Sequence, residues 1–85
     1  MHLRKGLLLK EIRDSFVVID LASKSNSLIT LNATSACIWK CVGEGKSEKE
    51  IVNELSRRFE APEETVVADV RRFCGEMLIK GFFVE

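Results

Sequence analysis

The first third of the chain alternates apolar runs with polar breaks, a pattern that indicates a small antiparallel sheet. Three short runs are rich in Leu, Val and Ile, and residues that favour turns stand between them. Brief connections of this kind join neighbouring antiparallel strands. The pattern therefore predicts a meander of three strands, Leu7–Ile12, Phe16–Ala22 and Ser27–Leu31, with connections at Arg13–Ser15 and Ser23–Asn26.

The second predicted strand has two different faces. Since side chains alternate along a strand, every second residue points the same way. One face is wholly apolar whereas the other contains an acid, so we expect the mixed face to be covered only in part. The two sets are Val17, Ile19 and Leu21 on the apolar face and Phe16, Val18 and Asp20 on the mixed face.

The next segment carries the signals that begin and end helices. Asn32 is a residue type that caps helix N-termini and Gly43 is one that stops a helix, which predicts a first helix over Ala33–Val42. The tetrapeptide Ser47–Glu50 has the Ser-x-x-Glu form of a capping box, in which each side chain bonds to the backbone N–H of the other residue. It predicts a second helix over Glu48–Phe59.

The third predicted helix is the longest. Pro62 suits a first helical position, acids follow it in the first turn, and Gly81 provides a stop after Lys80. We expect the short apolar tail Phe82–Val84 to dock on the core. The helix itself carries one unbroken apolar stripe, which consists of Val66, Val67, Val70, Phe73, Cys74, Met77 and Leu78.

The order of the elements defines a fold class. Strands followed by helices within 85 residues predict a single α+β domain over residues 1–85, with a three-stranded antiparallel sheet followed by three helices. The arrangement is like a winged helix-turn-helix in which the sheet comes first. The composition agrees with a globular domain, since 46% of the residues are hydrophobic and 31% are charged.

The charges disfavour some classes of partner. Thirteen basic residues balance thirteen acidic ones, which argues against a nucleic acid as the main partner. Residues 1–46 hold seven basic and four acidic residues and residues 47–85 hold six and nine, a division that suits a peptide with its own charge pattern. No window is apolar enough to span a membrane and no signal core precedes the cysteines, so we expect no membrane partner and a cytoplasmic location.

The sequence GEGKS at residues 43–47 invites comparison with a phosphate-binding loop. Such a loop has the form G-x-x-x-x-G-K-[ST] and follows a strand. Here Lys40 stands where the first glycine is required, and the preceding segment has a helical pattern. We therefore interpret the stretch as a turn between two helices.

Three cysteines are the candidates for metal or nucleophile chemistry. Cys37 and Cys41 lie one helical turn apart and could ligate one ion, but a zinc site needs two more ligands and only Cys74 and the terminal His2 remain. No base stands near a thiol, as nucleophilic catalysis requires. We therefore expect small buried thiols, with no metal, no cofactor and no catalytic residue.

The order and spacing of several short motifs from about residue 15 to 84 are typical of one known family. These motifs are Leu31 and Asn32, then Ala36, Ile38 and Trp39, the glycines Gly43 and Gly45, Ser47, Glu50 and Ile51, Leu55 and Phe59, Asp69, Val70 and Phe73, and finally Leu78 and Gly81. With them the chain resembles the coenzyme PQQ synthesis protein D (PqqD-like) family, whose domain is also called the RiPP precursor-peptide recognition element.

This resemblance implies both a fold and a function. The fold is three antiparallel strands followed by three helices. The function is that of a non-catalytic adaptor, which binds the leader of a ribosomally made precursor peptide and presents it to a modifying enzyme, often a radical-SAM protein. Members devoted to the quinone pathway usually have a Pro-Glu-Gly-like turn before the third strand, where this chain reads SKSNS. We therefore expect a different peptide-modification pathway.

The resemblance also implies where the leader binds. It adds as an extra strand beside the third strand, in a groove shared with the third helix. Backbone hydrogen bonds then give affinity, and pockets for alternate side chains give selectivity. The third strand contains no Pro and no Lys that would blunt an open edge. The candidate peptide-binding residues are Ser27, Leu28, Ile29, Thr30, Leu31, Val66, Asp69, Val70 and Phe73.

Alternation along the third strand separates its side chains into two pairs. Leu28 and Thr30 point one way and Ile29 and Leu31 the other, so we expect one pair to face the core and the other to be accessible to a ligand. An open edge could also pair with a second copy of the chain, which would give a homodimer.

Two other classes of function compete with the adaptor. A winged-helix DNA-binding protein would need a basic recognition helix, and a metal-thiol protein would need a complete ligand set. The second and third predicted helices instead carry many acids, namely Glu48, Glu50, Glu54, Glu63, Glu64, Asp69 and Glu76. These acids are unfavourable beside a phosphate backbone.

Overall fold

The computed structural model describes residues 1–22 and 28–85. They form a three-stranded antiparallel sheet followed by three helices, together with a separate two-stranded pair. The predicted α+β class is therefore confirmed. The strands are β1 (His2–Leu3), β2 (Leu7–Ile12), β3 (Ser15–Asp20), β4 (Leu28–Leu31) and β5 (Phe83–Val84), and the helices are α1 (Ala33–Gly43), α2 (Glu48–Phe59) and α3 (Glu63–Lys80).

The larger sheet has the strand order β2-β3-β4, as the meander pattern predicts. Ile12 pairs with Ser15, so Arg13 and Asp14 alone form the turn between β2 and β3. Arg13 has a left-handed φ of 56°, a conformation typical of two-residue hairpin turns. The predicted connection at Ser23–Asn26 lies outside the described residues.

The core packs against the mixed face of β3, which contains Val18 and Asp20. The alternation pattern predicts that this face is covered only in part. Val18 is 1% exposed and Asp20 is 7% exposed, whereas Leu21 from the wholly apolar set is 64% exposed. The prediction for the two faces is therefore wrong. Since cross-strand partners share a face, the register places Leu9 and Ile29 beside Val18 on the core side of the sheet.

The buried acid on this face has a cationic partner from outside the sheet. Nη2 of Arg4 lies 2.8 Å from Oδ2 of Asp20, and the backbone N–H of Ala22 donates to Oδ1 at 3.1 Å. A carboxylate is costly to bury unless it is paired and hydrogen-bonded. Because Arg4 lies sixteen positions before Asp20 in the chain, alternation within one strand does not reveal the pair.

The first and last strands pair with each other beside the helices. β1 is antiparallel to β5, and the N–H of Arg4 extends this pairing by donating to the carbonyl oxygen of Phe82 at 2.9 Å. The predicted docking of the apolar tail is confirmed, because Phe82 and Phe83 are 8% and 1% exposed. β1 has only two residues and no pattern that predicts it.

Aromatic rings join the tail to two helices. The ring centroid of Trp39 lies 5.3 Å from that of Phe83 and 6.3 Å from that of Phe82, and Phe73 of α3 meets Phe83 edge-on at 5.9 Å. Tilted and edge-to-face pairs at these distances are favourable. The tail therefore links α3 to α1 through these ring contacts.

Both α1 and α2 begin at their predicted caps. Oδ1 of Asn32 accepts from the N–H of Ser35 at 2.8 Å. Ser47 and Glu50 form the predicted capping box, with N–H to carboxylate and N–H to hydroxyl distances of 2.9 and 3.2 Å. The hydrogen bond from the backbone of Ser47 lowers the pKa of the Glu50 carboxyl. The GEGKS stretch is thus an interhelical turn, in which Gly45 supplies a φ of +80°.

The three thiols are buried in the core, as expected of small hydrophobes. Burial, followed in importance by the neighbouring Cys37, raises the pKa of Cys41 to about 11. Burial also raises the pKa of Cys74 to about 11, with a smaller contribution from Glu48. Both thiols therefore remain protonated at neutral pH.

Candidate functional site

The candidate site begins at the outer edge of β4. This strand pairs with β3 along one side, and no described residue pairs with its other side. In an antiparallel ladder, alternate residues direct both their N–H and C=O groups to the same neighbour. Two of the four residues of Leu28–Leu31 therefore present their backbone groups at an open edge. These groups can accept a further strand.

The side chains of β4 are divided as its alternation requires. Leu31 is 5% exposed and Ile29 is half-buried, so this pair faces the core. Leu28 is 63% exposed and Thr30 is also exposed, so this pair faces outward. Ser27, which was predicted to belong to the site, lies outside the described residues.

A polar cavity lies directly beyond the end of β4, between α1 and α3. Its volume is about 180 Å³, and its apolar part is formed by Ile38 of α1 and Phe73 of α3. The side chains around it carry hydroxyl, amide, carboxylate and guanidinium groups. They belong to Asn32, Thr34, Ser35, Asp69, Arg72 and Glu76.

Three of the four residues predicted on α3 share this side of the helix. Asp69 and Phe73 line the cavity just described. Val66 and Asp69 line a neighbouring cavity of about 50 Å³ whose opposite wall includes Phe59. Val70, by contrast, is 1% exposed and lines a cavity of about 390 Å³ between α2 and α3. The structure therefore brings Val66, Asp69 and Phe73 together and places Val70 elsewhere.

Sequence reasoning missed the part of the cavity contributed by α1. Thr34, Ser35 and Ile38 follow Asn32, the residue that caps α1 immediately after β4. Their position after the third strand is the signal that could have identified them, because a short connection keeps them next to its edge. Arg72 and Glu76 were missed as well, although they stand three and seven positions after Asp69 on one helical face.

The charges on α3 at this cavity are partly matched. Nη2 of Arg72 lies 3.1 Å from Oδ1 of Asp69, which is one turn earlier in the helix. Glu76, at the same cavity, is exposed and has no ion-pair partner among residues 1–22 and 28–85. The wall thus offers two carboxylates and one guanidinium.

These features suit the binding of a further strand beside β4. An unpaired strand edge offers backbone donors and acceptors, and the cavity beside it offers an apolar floor with polar walls. Within the described ranges, no group of three or more His, Cys, Asp or Glu side chains is arranged to hold a metal ion. None of the helices in those ranges has the length and apolar character needed to cross a bilayer.

Comparison with known proteins identifies one family and two solved structures with the same fold. The family model described as Coenzyme PQQ synthesis protein D (PqqD) matches residues 16–82. A search of curated proteins finds no match.

Two solved structures share the fold. One is described as TbiB1 in complex with the TbiA(beta) leader peptide, with a TM-score of 0.83, 24% identity and 100% of both chains covered.

The second solved structure is described as lasso peptide synthetase B1 complexed with the leader peptide. Its TM-score is 0.84 at 19% identity, and the alignment covers 99% of this chain and 96% of that one. At these identities the two likenesses establish the fold. They show that the whole described arrangement of strands and helices occurs in other proteins.

Proposed function

Because the chain belongs to the coenzyme PQQ synthesis protein D (PqqD) family, we propose that it is a non-catalytic adaptor for a ribosomally made precursor peptide. It binds the leader of that peptide and presents the peptide to a modifying enzyme. The two solved structures with the same fold are described as complexes with leader peptides, which supports this assignment.

The observation that carries the proposal is the open edge of β4 next to the cavity at α3. A leader in an extended conformation adds to β4 as a fourth strand of the larger sheet, and its backbone satisfies the edge groups. Alternate side chains of the added strand then face the helices, where Asp69 and Phe73 stand. Selectivity for the leader arises from these contacts.

The residues that bind the leader are a further part of the proposal. We assign the backbone of Ser27–Leu31 and the side chains of Val66, Asp69 and Phe73 to the site. Val70, which faces the cavity between α2 and α3, supports the groove from within the core rather than contacting the leader.

The partner enzyme and the location are proposed on the family resemblance. The enzyme is of the radical-SAM type, which is frequent among partners of such domains, and the protein acts in the cytoplasm. The chain reads SKSNS where members devoted to quinone synthesis usually have a Pro-Glu-Gly-like turn, which supports another peptide product. The adaptor itself performs no chemistry on the peptide.

Amide hydrogen exchange measured by NMR tests the proposal. The probe is the synthetic leader of the precursor peptide encoded beside this gene, with a scrambled peptide of the same composition as control. The leader should slow exchange at alternate amides of Leu28–Leu31 and shift the resonances of Asp69 and Phe73. The scrambled peptide should do neither.

Two results would contradict the adaptor. One is a leader that leaves β4 and the α3 cavity unchanged at saturating concentration. The other is a response at α2 and α3 to duplex DNA but not to the leader, which would favour the winged-helix DNA-binding alternative. The acids of these two helices argue against that second result.

A further inference from the structure

The outer face of the larger sheet is apolar although it is turned away from the core. The register places Leu8 of β2 opposite Ile19 of β3, and Ile19 opposite Leu28 of β4. These three side chains form one row across the sheet, since directly paired residues lie on the same face. Lys10, Val17 and Thr30 form the next row. We call these two rows the outer face.

Several aliphatic side chains on the outer side of the sheet are exposed to solvent. Leu8 is 45% exposed and Leu28 is 63% exposed, and Ile12, which continues the outer side of β2, is 50% exposed. Antiparallel sheets with one solvated face usually carry polar residues there. A contiguous exposed apolar patch is instead typical of interaction surfaces, among which contacts with other proteins are common.

The single charge on the outer face indicates which kind of partner surface would complement it. Lys10 is the one charged residue in its two rows, and it stands next to Val17. Packing two copies face to face would add a second Lys10 and no carboxylate, so the two rows would leave both ammonium groups without a counter-charge, which is unfavourable. A partner with an apolar patch that carries a carboxylate satisfies both Lys10 and the aliphatic row.

The outer face is continuous with the edge that accepts the leader. Leu28 belongs to both, since it points outward from β4. A leader strand added to β4 directs every second side chain to the outer side of the sheet, where it prolongs the row of Leu8, Ile19 and Leu28. A protein that rests on this face therefore contacts the domain and the leader together.

We propose that the outer face is the docking surface for the modifying enzyme, which binds it through an apolar patch bearing a carboxylate opposite Lys10. This inference rests on the proposed function, because the enzyme is the protein to which the leader is presented. It also goes beyond that function, because it separates the surface that the enzyme contacts from the groove that the leader fills. The enzyme should bind the leader-loaded domain more tightly than the empty one.

Two substitutions on β2 test the docking surface without touching the leader edge. Leu8→Thr removes the end of the apolar row and Lys10→Glu reverses the charge, and both lie on the strand farthest from β4. The matched control is Ile79→Thr, which removes an aliphatic side chain that is 88% exposed on α3. The partner used is the purified modifying enzyme encoded beside the precursor gene. Its dissociation constant is measured by calorimetry with and without leader.

Each β2 substitution should weaken enzyme binding about tenfold or more, the size of a residue that dominates an interface. Leader affinity should be unchanged in all variants, and Ile79→Thr should bind the enzyme as the unaltered chain does. Unchanged enzyme affinity in both β2 variants would overturn the proposal. So would sedimentation that shows a dimer of the unaltered chain which Leu8→Thr dissociates.

The test distinguishes this proposal from the adaptor function itself. If the leader fails to bind, the adaptor function is wrong, whatever the enzyme does. If the leader binds but the β2 variants do not affect the enzyme, only the docking surface is wrong. Circular dichroism of each variant checks that the sheet is folded before the leader and enzyme affinities are compared.

Discussion

Arg4 and Asp20 form an ion pair that joins the two sheets of the molecule, with 2.8 Å between Nη2 and Oδ2. The carboxylate side chain is 9% exposed and the guanidinium side chain is 37% exposed. The guanidinium carbon also lies 5.7 Å from the ring centroid of Phe82. Arg4 thus connects the end of β3 to the region where β1 and β5 pair.

Asp20→Ala should lower the free energy of unfolding by about 1.5–3 kcal/mol, the range for hydrogen bonds to charged groups. The substitution leaves the guanidinium of Arg4 without this partner and removes the acceptor for the N–H of Ala22. Urea denaturation measures the change. Asp14→Ala, which removes an exposed acid from the hairpin turn, is the matched control and should alter stability by less than about 0.5 kcal/mol. Equal effects of the two substitutions would contradict the role of the pair.

Two serines of the α2 region should differ in their response to substitution by alanine. Ser47→Ala removes the N-cap acceptor and should destabilise the protein by about 1 kcal/mol. Ser56 lies inside α2, and its buried hydroxyl has no hydrogen-bond partner among the described residues. Ser56→Ala should therefore leave stability unchanged or raise it, since alanine has the higher helix propensity. Thermal unfolding of both variants measures the change in stability. A destabilisation by Ser56→Ala as large as that by Ser47→Ala would show that the Ser56 hydroxyl does have a stabilising partner.

Stability should fall as the pH rises from about 9 to about 11. The thiols of Cys41 and Cys74 have an ordinary pKa of 9.0, which burial raises to about 11 in the folded protein. Between these values the unfolded chain releases thiol protons that the folded chain retains, so unfolding becomes more favourable with increasing pH. Below pH 9 this contribution to stability is fully present.

Urea titrations at several pH values measure this loss. The nearby Glu44 raises the pKa of Lys46 above its ordinary value of 10.5, which acts in the same direction from about pH 10.5 upward. Variants Cys41→Ala and Cys74→Ala therefore serve as controls, because each should show a flatter pH dependence than the unaltered chain. A slope between pH 9 and 11 that both variants retain would show that the thiols do not cause it.

Proline substitution at two adjacent residues of β4 should separate the leader edge from the sheet. One of Ile29 and Thr30 directs its N–H to β3 and the other directs its N–H to the open edge. Proline at the edge-facing position should weaken leader binding while the sheet remains folded, and proline at the other should chiefly lower stability. Leu28→Pro should behave like Thr30→Pro because the two share an orientation. Calorimetry with the leader, together with thermal unfolding, distinguishes these effects, and leader affinity unchanged by all three would exclude β4 as the site.

The helices could be predicted from the sequence because their signals are local. The side chains of Ser47 and Glu50 each accept a hydrogen bond from the other residue's backbone N–H within one turn. Gly81 ends α3 with a φ of +80°, a conformation that glycine adopts without a distant partner. The bounds of α2 and the end of α3 agree with the prediction for this reason. Tertiary contacts were not needed to place them.

The faces of β3 could not be predicted because their burial depends on distant partners. Alternation favours burial of Ile19 and Leu21, but Arg4 stabilises Asp20 on the core side and permits the opposite orientation. The α1 wall of the candidate site was missed for a related reason. Its residues, among them Thr34 and Ile38, acquire a role only when α3 packs beside them.

The open edge of β4 and the apolar outer face of the sheet have a consequence for the protein in isolation. Exposed strand edges and apolar sheet faces both promote association between chains at high concentration. When the domain is produced alone, its solubility should therefore be limited by these two surfaces, and co-production with its peptide and enzyme should increase the yield of soluble protein. The two surfaces proposed for the leader and the enzyme therefore also set the concentration at which the isolated domain begins to associate.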